Sequence, residues 1–223
     1  MLHAKPIEMN TATRLSPKFY QSTDVLQIAR DLLGKVLVTN FDGQHTAGRI
    51  TETEAYRAPD DRACHASGNR RTPRTEVMFG EGGGAYVFLC YGIHYLFNVV
   101  TAPVGLAHAV LVRAIEPLEG VDIMRDRRGG KTPSLVQLTT GPGSLSQALG
   151  ITTQWTGQLL TEARSPIWIE DRGEVISSED IAVGKRIGVD YAGECADWPW
   201  RFWIRDSPFV KKATDTKQLQ IFS

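Results

Sequence analysis

The segment Ile50-Thr51-Glu52-Thr53-Glu54-Ala55-Tyr56 sets two carboxylates and a phenol at alternate positions. On an extended strand successive side chains point to opposite faces. Ile50, Glu52, Glu54 and Tyr56 are then expected on one face, with Thr51, Thr53 and Ala55 on the other. Burying an acid is costly unless it is paired. A half-buried carboxylate with tunable proton affinity is also what a general base needs. An edge strand with its glutamates on the wet face would give the same pattern.

Arg113 interrupts the apolar run Ala109-Val110-Leu111-Val112-Arg113-Ala114-Ile115. A cation there needs an acid partner or a polar ligand, and Glu54 is an available acid if the strands are neighbours. Cys64-His65 leaves a thiol nucleophile or a metal site open, but adjacent residues on an extended chain point apart and no second cluster completes a metal set. The stretch from Tyr86 to Tyr95 places Tyr91-Gly92 at a turn, with Tyr91 and His94 at or near its tip. An exposed ring at a tip suits insertion into a stack of bases. An ordinary aromatic hairpin would look the same.

The elements that must position these residues follow from periodicity and turn signals. Asp24 to Leu33 reads as a helix, capped by Ser22 or Thr23 and ended by Gly34. Lys35 to Thr39 and Gly48 to Tyr56 read as a hairpin around Asp42-Gly43. Arg57 to Gly84 is a long polar loop, a kind that is usually functional in a compact domain. Tyr86 to Tyr91, Ile93 to Thr101 and Ala109 to Glu116 read as strands. Pro117 fits the start of a helix running to about Arg128. Ser144 to Leu149 is a short helix behind Gly141-Pro142-Gly143, stopped by Gly150. Ile167 to Glu170, Arg186 to Val189 and Arg201 to Arg205 complete the strands. The fold class expected is α+β: a single domain with a mixed, mostly antiparallel curved β-sheet, flanking helices and a protruding hairpin. Residues 1–14 read as a flexible leader, 15–210 as the domain and 211–223 as a polar tail.

The 223 residues, 42% hydrophobic and 22% charged, have globular composition and the length of one domain. No apolar run approaches the ~20 residues of a membrane span, and Met1 to Asn10 has no secretory core, so no membrane partner and a cytoplasmic location are expected. The three cysteines are too scattered for a disulfide framework or a metal set. A net charge of zero argues mildly against nucleic acid, but the charge is unevenly placed. Arg57, Arg62, Arg70, Arg71 and Arg74 gather in the long loop, and Arg125, Arg127, Arg128 and Lys131 form a second cluster. Acid gathers in Glu162, Glu170, Asp171, Glu174, Glu179 and Asp180. A basic face opposite an acidic one is compatible with this spacing; either basic cluster alone could be plain solvated surface.

Taken together, the motifs resemble those of the alkyladenine (3-methyladenine) DNA glycosylase family. The likeness rests on Thr51-Glu52-Thr53-Glu54-Ala55-Tyr56 with His65 downstream, Arg71-Thr72-Pro73-Arg74, and Tyr91-Gly92 with Asn98. It continues through Leu111 to Gly120 and closes on Arg201 to Pro208, covering roughly residues 15–210. The resemblance implies that Glu54 activates an attacking water, which Arg113 and the backbone carbonyl of Ile187 also hold. Tyr56 and His65 would line one side of a base pocket, with Phe88 opposite where the family often has tyrosine. Asn98 would crowd the 2-amino group of guanine. Tyr91 would fill the gap left by a flipped nucleotide, beside Ile93 and His94 in the minor groove. Arg70, Arg71 and Arg74 belong with the DNA backbone, as do the amides from Gly141 through Gly143 to Ser144 at a helix start.

The implied reaction is hydrolysis of the N-glycosidic bond of an alkylated or deaminated purine in double-stranded DNA by a monomer. Acting on DNA, it would be nucleoid-associated in a bacterium and nuclear in a eukaryote. No lysine lies in the segments around Glu54, Tyr91 or Arg113, so no Schiff-base strand cleavage is expected. No metal or organic cofactor is expected either. A binding domain without catalysis, and a small-molecule nucleoside hydrolase, are the alternatives. The first has no need of a carboxylate facing phosphates, and the second none of an exposed ring and an arginine-rich loop.

Overall fold

A computed structural model describes residues 12–130 and 134–211. Most of the expected leader, most of the tail and Lys131 lie outside the described residues. The chain runs through β1 (Thr13–Arg14), α1 (Pro17–Tyr20), α2 (Val25–Asp31), β2 (Val36–Phe41) and β3 (Gln44–Arg57). After the long loop come β4 (Ala85–Cys90), β5 (His94–Thr101) and β6 (His108–Glu119). Then follow α3 (Val121–Arg127), α4 (Leu135–Thr139), α5 (Pro142–Leu149), β7 (Ile167–Asp171), β8 (Ile181–Gly184) and β9 (Arg201–Ile204). The strands form one open, curved sheet ordered β1-β7-β2-β3-β6-β5-β4, with β9 branching from β3 and β8 from β9. The α+β class expected is the class observed.

β3 is the spine of this sheet. Its first half pairs with β2 and its second half with β9, while β6 runs along its other side. Besides a shift at Ala47/Gly48, the β3–β6 ladder slips twice in its middle: Ile50 faces Ile115, Glu52 faces Ala114, and Thr53 faces Val112. Thr51 is therefore an extra residue on β3 and Arg113 an extra residue on β6. Bulges of this kind bend a strand and re-aim its side chains. They also break the simple alternation expected from the sequence. Ile50 packs in the main core together with Ala55, rather than on the face of Tyr56.

Several other expectations are corrected. The α2 cap is Asp24, whose side chain accepts from the Gln27 N–H at 3.0 Å, with Ser22 one step further out on the Asp24 N–H. Pro117 does not start a helix. It lies inside β6 opposite Gly48, at a slip of the ladder where its missing N–H is tolerated. The helix waits for Gly120, whose left-handed backbone (φ 68°) and close approach to the His45 carbonyl admit no side chain. Arg186 to Val189 is not a strand. Gly188 turns there with φ 75°, and the pairing strand is β8, just before it.

What holds that segment is a buried ion pair. The Arg186 guanidinium spans both oxygens of Asp61, and also donates to the carbonyls of Ala55 at 2.9 Å and Cys195 at 3.0 Å. Both side chains are shut off from water. The contact ties the start of the long loop to the segment that carries Ile187. Asp61→Ala would leave the cation buried and unpaired, and is expected to cost about 3–5 kcal/mol. Asp60→Ala, which removes an exposed partner of Arg57, is expected to cost no more than about 1 kcal/mol. Urea unfolding of the two variants checks this, and equal losses would remove Asp61 as an anchor.

Candidate active site

Glu54 lies where β3 is flanked on both sides, opposite Leu111 of β6 and Arg201 of β9. It is 0% exposed. One carboxylate oxygen accepts the Ile187 N–H at 2.8 Å and stands 3.2 Å from Nη1 of Arg113. The other accepts the Tyr56 hydroxyl at 2.7 Å. Burial, and then the charge of Glu54, push the Tyr56 phenol well above its ordinary range, so it remains a donor. Burial works against the charge of Arg113, but Glu54 and Glu52 outweigh it and hold the guanidinium above its usual value. The predicted partnership of Glu54 and Arg113 is thus present. Ile187 is brought to the same carboxylate, through its N–H.

Beside this cluster is an aromatic group from two segments. His65 comes from the long loop, and Tyr86 and Phe88 stand on one face of β4. The His65 ring meets Phe88 edge-on at 4.6 Å, and Tyr86 and Phe88 lie 5.6 Å apart. Nε2 of His65 is 3.3 Å from an Arg74 nitrogen, and Nδ1 is 2.8 Å from the Tyr86 hydroxyl. A guanidinium can only donate, so Nε2 accepts and Nδ1–H donates to Tyr86. Asn98 on β5 is buried, and its Nδ2 is committed to the carbonyls of Tyr86 and Leu96. Cys64, next to His65, is no nucleophile: burial pushes its thiol up to about 12.

The outer surface is built by the β4–β5 hairpin and the start of α5. Tyr91 (84% exposed) and Ile93 (71%) form the tip, and His94 is also exposed. The His94 ring lies against Gly143, where an added Cβ would meet it at 2.8 Å. Hairpin and helix are therefore in contact, and only a glycine allows it. Pro142 lacks an N–H, and no side chain caps the amides of Gly143 and Ser144 behind Gly141. Of the loop arginines, Arg70 is exposed, Arg71 turns to Glu76 and the ring of Phe79, and Arg74 lies over Phe88. Arg127 and Arg128 of the second cluster bind the far end of α5, at Ala148 and Gln147. No three acids, cysteines or histidines among the described residues are grouped for a metal.

Sequence reasoning missed several members. Tyr86 could have been found, because alternation puts it on the face of Phe88. Asp61 and Arg186 could not, since no spacing relates residues so far apart. Tyr191, exposed and donating to the Ala63 carbonyl at 3.3 Å, also escaped notice. The His65 environment gives a test. Burial, then Arg74 and Arg70, push the imidazole down to about 4. Because the folded value lies below the ordinary ~6.5, protonation favours the unfolded chain, and any stability linked to this ring is lost as pH falls from about 6.5 towards 4. A nitrogen-15 NMR titration is expected to show a neutral ring protonated on Nδ1 down to about pH 5. A midpoint near 6.5 would contradict the packing described.

Comparisons with known proteins identify the family. A family model for methylpurine-DNA glycosylase (MPG) matches residues 18–208. A Bacillus cereus protein is 47% identical over 201 residues, covering 88% of this chain and 98% of its own. A relative from Bacillus cytotoxicus is 46% identical over 201 residues, and one from Desulfitobacterium hafniense 45% over 203, with the same shares covered. All three carry a provisional name, 3-methyladenine DNA glycosylase. With this match over most of its length, the chain belongs to the methylpurine-DNA glycosylase family.

Proposed function

We propose that the protein flips an alkylated or deaminated purine out of duplex DNA and hydrolyses its glycosidic bond with a water activated by Glu54. The observation that carries this reading is Glu54 itself, a fully buried carboxylate aimed by Arg113, Tyr56 and the Ile187 amide, next to an aromatic pocket. Methylation at N3 or N7 makes a purine cationic, so its base leaves as a neutral molecule. Tyr56, His65 and Phe88 offer electron-rich faces to that cation, worth roughly 0.5–2 kcal/mol per contact. A neutral His65 adds no repulsion. Flipping costs a few kcal/mol, less where damage has weakened pairing. Glu54 orients and deprotonates the water, and its charge also favours an oxocarbenium-like transition state. Arg113 and the Ile187 carbonyl are its partners in holding the water.

Asn98, with its amide fixed by two carbonyls, filters against the 2-amino group of guanine. Tyr91 occupies the gap in the stack, flanked by Ile93 and His94. Arg70, Arg71 and Arg74, with the amides near Gly141, Gly143 and Ser144, take the phosphates, although Arg71 must then share its charge with Glu76. Lys185, two residues from Ile187, is paired with Asp197 at 2.6 Å, which supports a product with an intact abasic site and no strand cleavage. The working unit is a monomer with one catalytic domain over residues 15–210.

The reading is tested by base release from a duplex carrying one hypoxanthine or ethenoadenine, beside alkylated genomic DNA. Wild type is expected to release base, and Glu54→Gln to lose about 10²–10⁴-fold or more while keeping lesion binding. Lesion binding with no release from any substrate would leave a binding domain only. Tyr91→Ala is expected to weaken lesion-duplex affinity about tenfold, within the ~1–3 kcal/mol of a base–aromatic stack. Unchanged affinity in a fluorescence-anisotropy titration would remove the wedge.

A further inference from the structure

Glu52 is as deeply buried as Glu54, and its partners are two arginines. One of its oxygens lies 3.0 Å from Nε of Arg113 and 3.2 Å from Nε of Arg201. Its other oxygen is buried with no hydrogen-bond partner. A purely structural acid would be poorly served there, because an apolar side chain of similar volume is often as stabilising as a buried ion pair. Arg113 is the extra residue of the β6 bulge, and the slip lets one guanidinium reach both glutamates.

We infer that Glu52 is a positioning residue that shares Arg113 with Glu54 and so sets how strongly Glu54 can act as a base. Bound to Glu54 alone, Arg113 would hold that carboxylate in a tight pair and blunt its affinity for a proton. Divided between two anions, it orients Glu54 with less loss of basicity. Arg201 supplies the second cation, so two acids and two bases balance inside the protein. Burial, the larger influence, holds the Glu52 carboxyl above its ordinary value, and Arg113 and Arg201 pull it part of the way back. The charged and titratable groups around the pair are Arg113 on β6, Arg201 on β9, Tyr56 on β3, and Arg186, which lies over the Tyr56 ring at 4.8 Å. α2, packed on the same stretch, brings only the Ala29 carbonyl to Thr53 and Arg30 to Phe202.

This rests on the proposed role of Glu54 as base, and its test separates the two. The pH profile of kcat/KM for base release is measured for wild type, Glu52→Gln and Arg201→Gln. Removing the Glu52 anion is expected to move the acid limb to lower pH by about one unit, and removing the Arg201 cation to move it up. Opposite shifts report charge, which a merely structural role would not produce. Profiles that superimpose, or move the same way, overturn the proposal. If a variant fails to fold, carbon-13 NMR of the wild-type carboxyl groups decides: Glu52 is expected to be ionised at about pH 7, and a neutral Glu52 there overturns it. Wild type that releases no base would defeat the reading of Glu54, while the carboxyl titration would still judge the coupling.

Discussion

The centre of this structure depends on carboxylates kept out of water. Moving an ionised group from water into a protein costs several kcal/mol unless partners replace its solvent shell. Arg113 is the partner both glutamates share, and it is available to both because β3 and β6 each carry one extra residue at the same place. The double slip keeps the flanking registers aligned while disturbing only the stretch where the charges sit. β9 completes the arrangement by closing the second edge of β3 just over Glu52 and Glu54. The sheet is thus most fully paired where its interior is most polar.

A second buried pair places the two loop segments of the site. The long loop supplies His65, and the turn after β8 supplies the Ile187 amide. Neither segment has a ladder of its own to fix it. Arg186 joins them through Asp61, and its face also lies over Tyr56 and Trp200. One guanidinium therefore sets the spacing between the loop that carries His65, Tyr56 beside Glu54, and the Ile187 amide.

Much of this was legible in the sequence, for physical reasons that differ by element. The hairpins around Asp42-Gly43 and Tyr91-Gly92 could be read because their turns demand left-handed residues, and all four have positive φ. The α5 helix was marked by its Gly stop, although its start was read at Ser144 and lies at Pro142. Glu54, Tyr56 and Arg113 stood out because charges break an apolar pattern. The family motifs then gave them roles that spacing alone left open. Pro117 misled because the same residue serves a helix start or a slipped strand, and only the partner strand decides. The face of Ile50 misled because a bulge is invisible to a period-2 count. Arg186 was read as part of a strand, when its guanidinium was needed across the fold. Long-range charge pairing is what a one-dimensional reading lacks.

The tip of the hairpin carries one more consequence. Tyr91 is a bulky residue held at φ 50°, a conformation that glycine or asparagine adopts with far less strain. Gly or Asn there would make a more comfortable turn and a more robust protein. The chain instead tolerates a locally unfavourable backbone to hold a large ring in the open. Selection for thermal robustness alone would therefore erode this position. A stabilised variant obtained without regard to activity is expected to have gained its hardiness at the exposed tip proposed to enter DNA.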